Sequence, residues 1–300
     1  MMPTLVRPRR WYPALLLAAG AVFPAPLLGQ APPKGHLFIV GGGDAPPELA
    51  ARFVALAGGP GHARIIVVPM ASSEPEATGQ EKVAELVALG ADAMVVNVDR
   101  RGASDPVIGA RLSEVSGVWF SGGDQGRLTG VLSDTPLLAA IRARYRAGAV
   151  IGGTSAGAAI MSDSMITGNQ RSADSVGYFG DEFPSIARNR IEVVAGLGFL
   201  PGAVVDQHFI RRERFNRLLS VVLEQPKLQG VGIDEGTALE VGPDGEWRVL
   251  GRSSVLILDA RRARLTQLGA PVLGATGVGI MVLPTGSRYR PRQGLAVLPR

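Results

Sequence analysis

Residues Val150 to Met161 read Val-Ile-Gly-Gly-Thr-Ser-Ala-Gly-Ala-Ala-Ile-Met: a short apolar run, a Gly-x-Ser-x-Gly turn and an Ala-rich helix former. A turn of this kind sets the serine at the carboxyl end of a strand, in a strained backbone conformation, with its hydroxyl facing open space. Gly153 and Gly157 let strand and helix approach closely, where a Cβ would clash. A helix starting directly after Ser155 would place unpaired N–H groups beside the serine oxygen. The segment therefore predicts an α/β protein with Ser155 as candidate nucleophile, although a plain Gly-rich strand-to-helix connection has the same outline.

The rest of the chain keeps that rhythm from His36 onward. Strands are predicted at His36–Val40, Arg64–Pro69, Ala93–Val98, Val115–Phe120 and Ala149–Gly152, with helices at Glu48–Leu56, Glu81–Leu89 and Pro136–Ala147 between them. Ile65-Ile66-Val67-Val68 is apolar without alternation, as a strand buried on both faces of a parallel sheet must be. The expected fold is a doubly wound, mostly parallel sheet flanked by helices. A helix at Arg211–Leu223 and a β-rich portion from Ala238 to Leu283 follow. In such sheets ligands bind beyond the carboxyl ends of the strands. Gly41-Gly42-Gly43, Ser121–Gln125 and Gly153–Ala156 all fall there, so three turns should converge on one crevice.

Of 300 residues 46% are hydrophobic and 19% charged, a globular balance with no low-complexity tail. The formal charge of +5 includes Arg7, Arg9 and Arg10. These precede an apolar stretch, Trp11 to Leu28, and the small residues around Gly29-Gln30-Ala31, which together have the three parts of a secretory signal. Three prolines and its short length argue against a membrane span. Residues 1–31 are read as a signal peptide and 32–300 as one catalytic domain, exported to the periplasm or beyond. Without the three arginines the balance is 28 basic against 26 acidic groups, too even for a nucleic-acid footprint. With no cysteine there is no disulfide, thiol nucleophile or thiolate metal site, and the chemistry calls for no cofactor or metal.

A serine nucleophile needs a base, and the chain has three histidines. His36 precedes the first strand, His62 lies in a Gly-Pro-Gly loop, and His208 ends the apolar run Val204-Val-Asp-Gln. His208 is the favoured base. After it come Arg211, Arg212, Arg214 and Arg217. On a helix Arg214 and Arg217 would share a face, as would Arg211 and Arg214. Such a run is either a solvated basic face or a clamp for carboxylates, which guanidinium groups bind bidentately. The amide of Ala156, with that of Gly123 or Asp124, would supply an oxyanion hole.

Four motifs together resemble the cyanophycinases, serine exopeptidases related to the aspartyl dipeptidases (peptidase E). They are Phe120-Ser-Gly-Gly-Asp-Gln, Gly152-Gly-Thr-Ser-Ala-Gly-Ala-Ala-Ile-Met-Ser, Val205-Asp-Gln-His-Phe with its trailing arginines, and Gly232-Ile-Asp-Glu-Gly-Thr-Ala. The resemblance runs from about His36 to Leu239 and implies a fold like that of class I glutamine amidotransferases. It also implies hydrolysis of cyanophycin, a polyaspartate with arginine on each side-chain carboxyl, to β-Asp-Arg dipeptides. Ser155 and His208 match the nucleophile and base. Gln125, Asp206, Gln207, Arg212, Arg214 and Arg217 match positions that bind the substrate's carboxylates and arginine. The family's third triad member is a Glu about 18 residues after the serine, where this chain has Ala173; Asp174 is adjacent, and Asp181 and Glu182 lie in a local insertion. Asp174 is the expected third member. The partners implied are a small peptide or polyaspartate-type polymer and a second copy in a homodimer, with no nucleic acid and no membrane once the signal is removed.

Three other readings share some of these features. A related aspartyl or isoaspartyl peptidase would use the same residues on another substrate. An α/β-hydrolase esterase shares Gly-x-Ser-x-Gly, but places its histidine near the end of the fold, whereas 92 residues follow His208 here. A non-catalytic binder of Asp/Arg-rich peptides would need the arginines and not the elbow serine.

Overall fold

The computed structural model describes residues 32–171, 176–177, 183–267, 269 and 271–300. The proposed signal segment, 1–31, and Ala173, Asp174, Asp181 and Glu182 lie outside the described residues. Five strands, Leu37–Val40 (β1), Arg64–Val68 (β2), Asp92–Val95 (β3), Gly117–Phe120 (β4) and Val150–Thr154 (β5), run parallel in the order β1-β5-β4-β2-β3. The connecting helices are Pro47–Leu56 (α1), Pro75–Ala88 (α2), Arg100–Ala103 (α3), Pro106–Ala110 (α4), Gln125–Leu132 (α5) and Pro136–Ala147 (α6). Helices α1, α2, α4 and α6 each begin on proline, whose fixed φ and missing N–H suit a first turn. Helix α6 is further capped by Thr135, which accepts from the Leu138 amide.

Successive residues of a strand point to opposite faces. Phe38, Val40, Ile65, Val67 and Trp119 accordingly pack with Leu49, Phe53 and Leu86 of α1 and α2. Their neighbours Leu37, Ile39, Ile66, Val68, Val118 and Phe120 pack with Leu128, Leu132, Leu138 and Ile141 of α5 and α6. Both faces of β1, β2 and β4 are thus covered, which is why Leu37–Val40, Ile65–Val68 and Gly117–Phe120 carry no charged side chain. Phe53 is fully buried, and truncating it to alanine would cost about 3–5 kcal/mol.

After β5 the four-residue helix Ala156–Ala159 (α7) leads to an antiparallel sheet of Ser164–Arg171 (β6), Val176–Gly177 (β7) and Ile191–Ala195 (β8). Then come Ala203–Gln207 (β9), helix Phe215–Glu224 (α8), Gln229–Ile233 (β10), Thr237–Val241 (β11), Trp247–Gly251 (β12) and Ser254–Asp259 (β13). Short strands Arg264–Leu265 (β14) and Ala275–Thr276 (β15) precede Gly279–Pro284 (β16), Arg288–Arg290 (β17) and Leu295–Val297 (β18). Strands β11, β12, β17 and β18 extend the first sheet antiparallel beyond β1. Strands β16-β13-β10-β9 make a second sheet in which only β9 and β10 are parallel. Helix α8 packs on one face of it through Leu218, Val221 and Val222, and the other face, with Val205, Val231 and Ile257, joins the main core.

The helix expected at Arg211–Leu223 starts only at Phe215. Arg211 and Arg214 therefore share no helix face. The chain turns instead, with His208 and Glu213 at φ of 50° and 52°. Asp234 holds that turn by accepting from the amides of Ile210 (3.1 Å) and Arg211 (2.9 Å).

Candidate active site

Ser155 adopts φ 52° and ψ −110°, a conformation that costs a non-glycine residue about 1–3 kcal/mol and persists only where its surroundings impose it. Here its amide donates to the Val40 carbonyl at the end of β1 (3.1 Å). A Cβ on Gly157 would lie 2.3 Å from the Phe120 carbonyl oxygen, and one on Gly153 would lie 2.5 Å from that of Gly157, so the elbow closes only with glycine at both positions.

The Ser155 Oγ lies 2.9 Å from His208 Nε2, and His208 Nδ1 lies 2.6 Å from Glu235 Oε1. Against a carboxylate, Nδ1 must carry the ring proton, which leaves Nε2 to accept from the serine hydroxyl. Burial pushes the His208 imidazole below its ordinary pKa; the hydrogen bond to Glu235 opposes this, and Arg212 reinforces it. The His208 amide donates to Gly41 (2.7 Å), and a Cβ on Gly42 would meet the ring nitrogen at 2.4 Å. The first Gly-rich turn is therefore the floor of the imidazole.

The carboxylate on Nδ1 thus comes from Glu235, two residues beyond β10 and beside the end of β9, whose Gln207 pairs with Ile233. The sequence pattern contains this residue within Gly232-Ile-Asp-Glu, and the signal that points to it is its place just past a strand end. Asp174, expected in that role, falls outside the described residues.

The second turn lies against the nucleophile, since a Cβ on Gly122 would be 3.4 Å from that of Ser155. The Asp124 amide already donates to the Ala71 carbonyl (2.9 Å), and an N–H has one proton, so it is not the oxyanion donor expected as an alternative to Gly123. Ala156 is the first residue of α7, where an amide has no carbonyl within its own helix. Gly123 and Ala156 are the two amides left for an oxyanion.

A cleft of about 680 Å³ opens over Ser155, with Gln207, Arg212, Arg214 and Arg217 on its walls. The residues expected to hold substrate divide here. Arg217 pairs bidentately with Asp206, its Nε 2.9 Å from Oδ2 and its Nη2 bonded to Oδ1; both residues are buried, and the guanidinium lies over the Phe183 ring at 5.0 Å. Arg214, also buried, donates to the carbonyl (2.9 Å) and Oε1 (2.8 Å) of Gln207. Gln125 Nε2 donates to the carbonyls of Ile166 (2.9 Å) and Thr167 (2.6 Å). Asp206, Gln207 and Arg217 thus bind one another or Arg214, whereas Arg212 is exposed at the cleft.

A serine hydroxyl within hydrogen-bond reach of an imidazole whose other nitrogen bonds a carboxylate, at the strand ends of an α/β sheet, is the arrangement of a serine hydrolase. The model of Peptidase family S51 matches residues 37–246. Cyanophycinase of Trichormus variabilis (strain ATCC 29413 / PCC 7937) is 36% identical over 251 residues, covering 81% of this chain and 80% of its own length. Cyanophycinase of Synechococcus elongatus is 38% identical over 240 residues, 78% of this chain and 70% of its own. That of Geminocystis herdmanii (strain PCC 6308) is 35% identical over 266 residues, 85% and 93% respectively. The crystal structure of a peptidase from an acI-B1 Actinobacterium shares the fold, with a TM-score of 0.59 at 24% identity, covering 81% of this chain and 98% of that one. The chain belongs to peptidase family S51 and is a peptidase.

Proposed function

We propose that this chain is a serine exopeptidase of cyanophycinase type, cleaving cyanophycin to β-Asp-Arg dipeptides through an acyl-enzyme on Ser155. The observation that carries the reading is the chain of contacts Ser155–His208–Glu235 beside a cleft with arginines on its wall. As Ser155 Oγ attacks the scissile carbonyl carbon, its proton passes to His208 Nε2. The Gly123 and Ala156 amides receive the resulting oxyanion, each worth roughly 3 kcal/mol of barrier. The C–N bond then breaks, and Nε2 returns the proton to the leaving amine. Water then attacks the acyl carbon and gives a proton to His208 Nε2, which passes it to Ser155 Oγ as the acyl–oxygen bond breaks and the product leaves. Glu235 keeps the imidazole in the working tautomer and steadies its charged form, the role for which the sequence suggests Asp174.

Incubating the chain from Pro32 with cyanophycin, with β-Asp dipeptides and with p-nitrophenyl esters, and reading products by mass, tests this. β-Asp-Arg should accumulate from cyanophycin, and Ser155→Ala should lower kcat by several orders of magnitude. Turnover of the esters alone would favour an esterase. Residues 1–31 further support export to the periplasm or beyond, checked by the N-terminal sequence of the exported chain.

A further inference from the structure

One carboxylate in the cleft over Ser155 is held in a way that neither the triad nor the arginines explain. Glu192, on β8, accepts through Oε2 from Thr167 Oγ1 (2.9 Å) and from Asn169 Nδ2 (2.9 Å). Both donors sit where β6 leaves its ladder, in a register shift between Ile166 and Gln170. Bulges of this kind re-aim side chains beside active sites. The bulge is tied to the catalytic side of the molecule, because Gln125 at the start of α5 bonds the Ile166 and Thr167 carbonyls from two residues past Gly123. Among the described residues of the cleft the other acidic side chain is Asp124, already engaged as the cap of α5 and accepting from the Gly126 amide at 2.7 Å.

Two neutral donors orient a carboxylate without cancelling its charge. Among the described residues Arg171 makes an ion pair with Glu192, its Nη2 3.9 Å from Oε1; the separation is too long for a hydrogen bond, and at 44% exposure the arginine is screened by solvent. The hydrogen bonds from Asn169 and Thr167 hold the Glu192 carboxyl below its ordinary pKa, so it is ionised at neutral pH. The cleft then has a negative wall at Glu192 and a positive one at Arg212 and Arg214. Resting on the peptidase reading above, we propose that Glu192 is a specificity residue that recognises a cation at the end of a substrate side chain, guanidinium or ammonium.

A residue that merely locked the bulge would behave differently from one that reads charge. Glu192→Gln keeps a carbonyl oxygen for Thr167 and Asn169 at almost unchanged volume, and removes only the charge. The assay uses short β-Asp-linked oligomers bearing arginine, lysine or the neutral isostere citrulline. For the arginine oligomer the variant should lose about ten- to hundred-fold in kcat/KM, the range expected for a charge-assisted contact, while the citrulline oligomer changes less than about two-fold. A matching loss on the lysine oligomer means that any cation is read; a loss confined to arginine means guanidinium. Equal losses on arginine and citrulline, or none on either, overturn the proposal. Should the unaltered chain hydrolyse none of the oligomers, the peptidase reading fails on its own. The ratio of Kd for β-Asp-Arg and β-Asp-citrulline, measured by calorimetry on the unaltered chain and on Glu192→Gln, then decides: a ratio that the variant leaves unchanged overturns the role of Glu192.

Discussion

Arg217→Leu would strand the Asp206 carboxylate in the interior. Asp206 is 1% exposed and Arg217 2%, and each supplies the other's charge. Removing one partner of such a pair leaves an uncompensated buried ion and costs about 3–5 kcal/mol. In a domain of this size about 1 kcal/mol corresponds to 2–4 °C, so the melting temperature should fall by about 6–20 °C. Replacing both, as Asp206→Leu with Arg217→Met, removes both charges together and should recover most of that loss. The remainder is about 1 kcal/mol, because Asp206 Oδ1 also accepts from the Gln207 amide and that bond goes too. Urea or thermal unfolding of the two single variants, the double and the parent completes a double-mutant cycle. If instead Arg217 held a substrate carboxylate, Arg217→Leu would leave stability within about 0.5 kcal/mol and cut kcat/KM ten-fold or more. A single variant that melts like the parent but has lost its activity, or a double no more stable than the singles, would refute the pairing as the reason for these residues.

Glu235→Gln would let the imidazole take the wrong tautomer and should lower kcat by about 10³–10⁴-fold, while Asp174→Asn changes it about two-fold or less; steady-state kinetics in which these effects are exchanged would return the third position to Asp174. His208 must be neutral to accept the serine proton, and burial favours the neutral ring. The acid limb of kcat/KM should accordingly fall below the ordinary imidazole pKa near 6.5, and a limb at or above 6.5 in a pH–rate profile would contradict the burial argument.

Much of this architecture can be argued from the chain alone because local chemistry and burial agree there. The run Ile65–Val68 has no polar face to give away, and it is a central strand covered on both sides. Pro136–Ala147 carries a proline start and ends at Gly148, and the helix has those bounds. The elbow and the scarcity of histidines single out Ser155 and His208, which meet at 2.9 Å. The arginine run fails differently. Helical spacing assumes that residues 211–214 are helical, but Asp234, 24 and 23 residues beyond them, captures the 210 and 211 amides and holds a turn. No spacing rule shows that Asp206, at the end of one strand, meets Arg217 inside the next helix. Helix α5 escapes notice because Gln125–Leu132 has two glycines and a threonine in eight residues, a weak periodic signal. Its cap at Asp124 is the stronger mark.

Ser155 follows β5 of the large sheet, whereas His208 and Glu235 follow β9 and β10 of the second. The nucleophile and its base therefore follow strands of two different sheets, joined by apolar side chains, by the Gly41–His208 contact and by the buried hydrogen bond from Gln229 of β10 to Tyr289 of β17 (2.8 Å). Proteolytic competence is then a property of docking. Glu235 lies 80 residues beyond Ser155, so a growing chain lacks the full set of Ser155–His208–Glu235 contacts until the segment after β10 has been made.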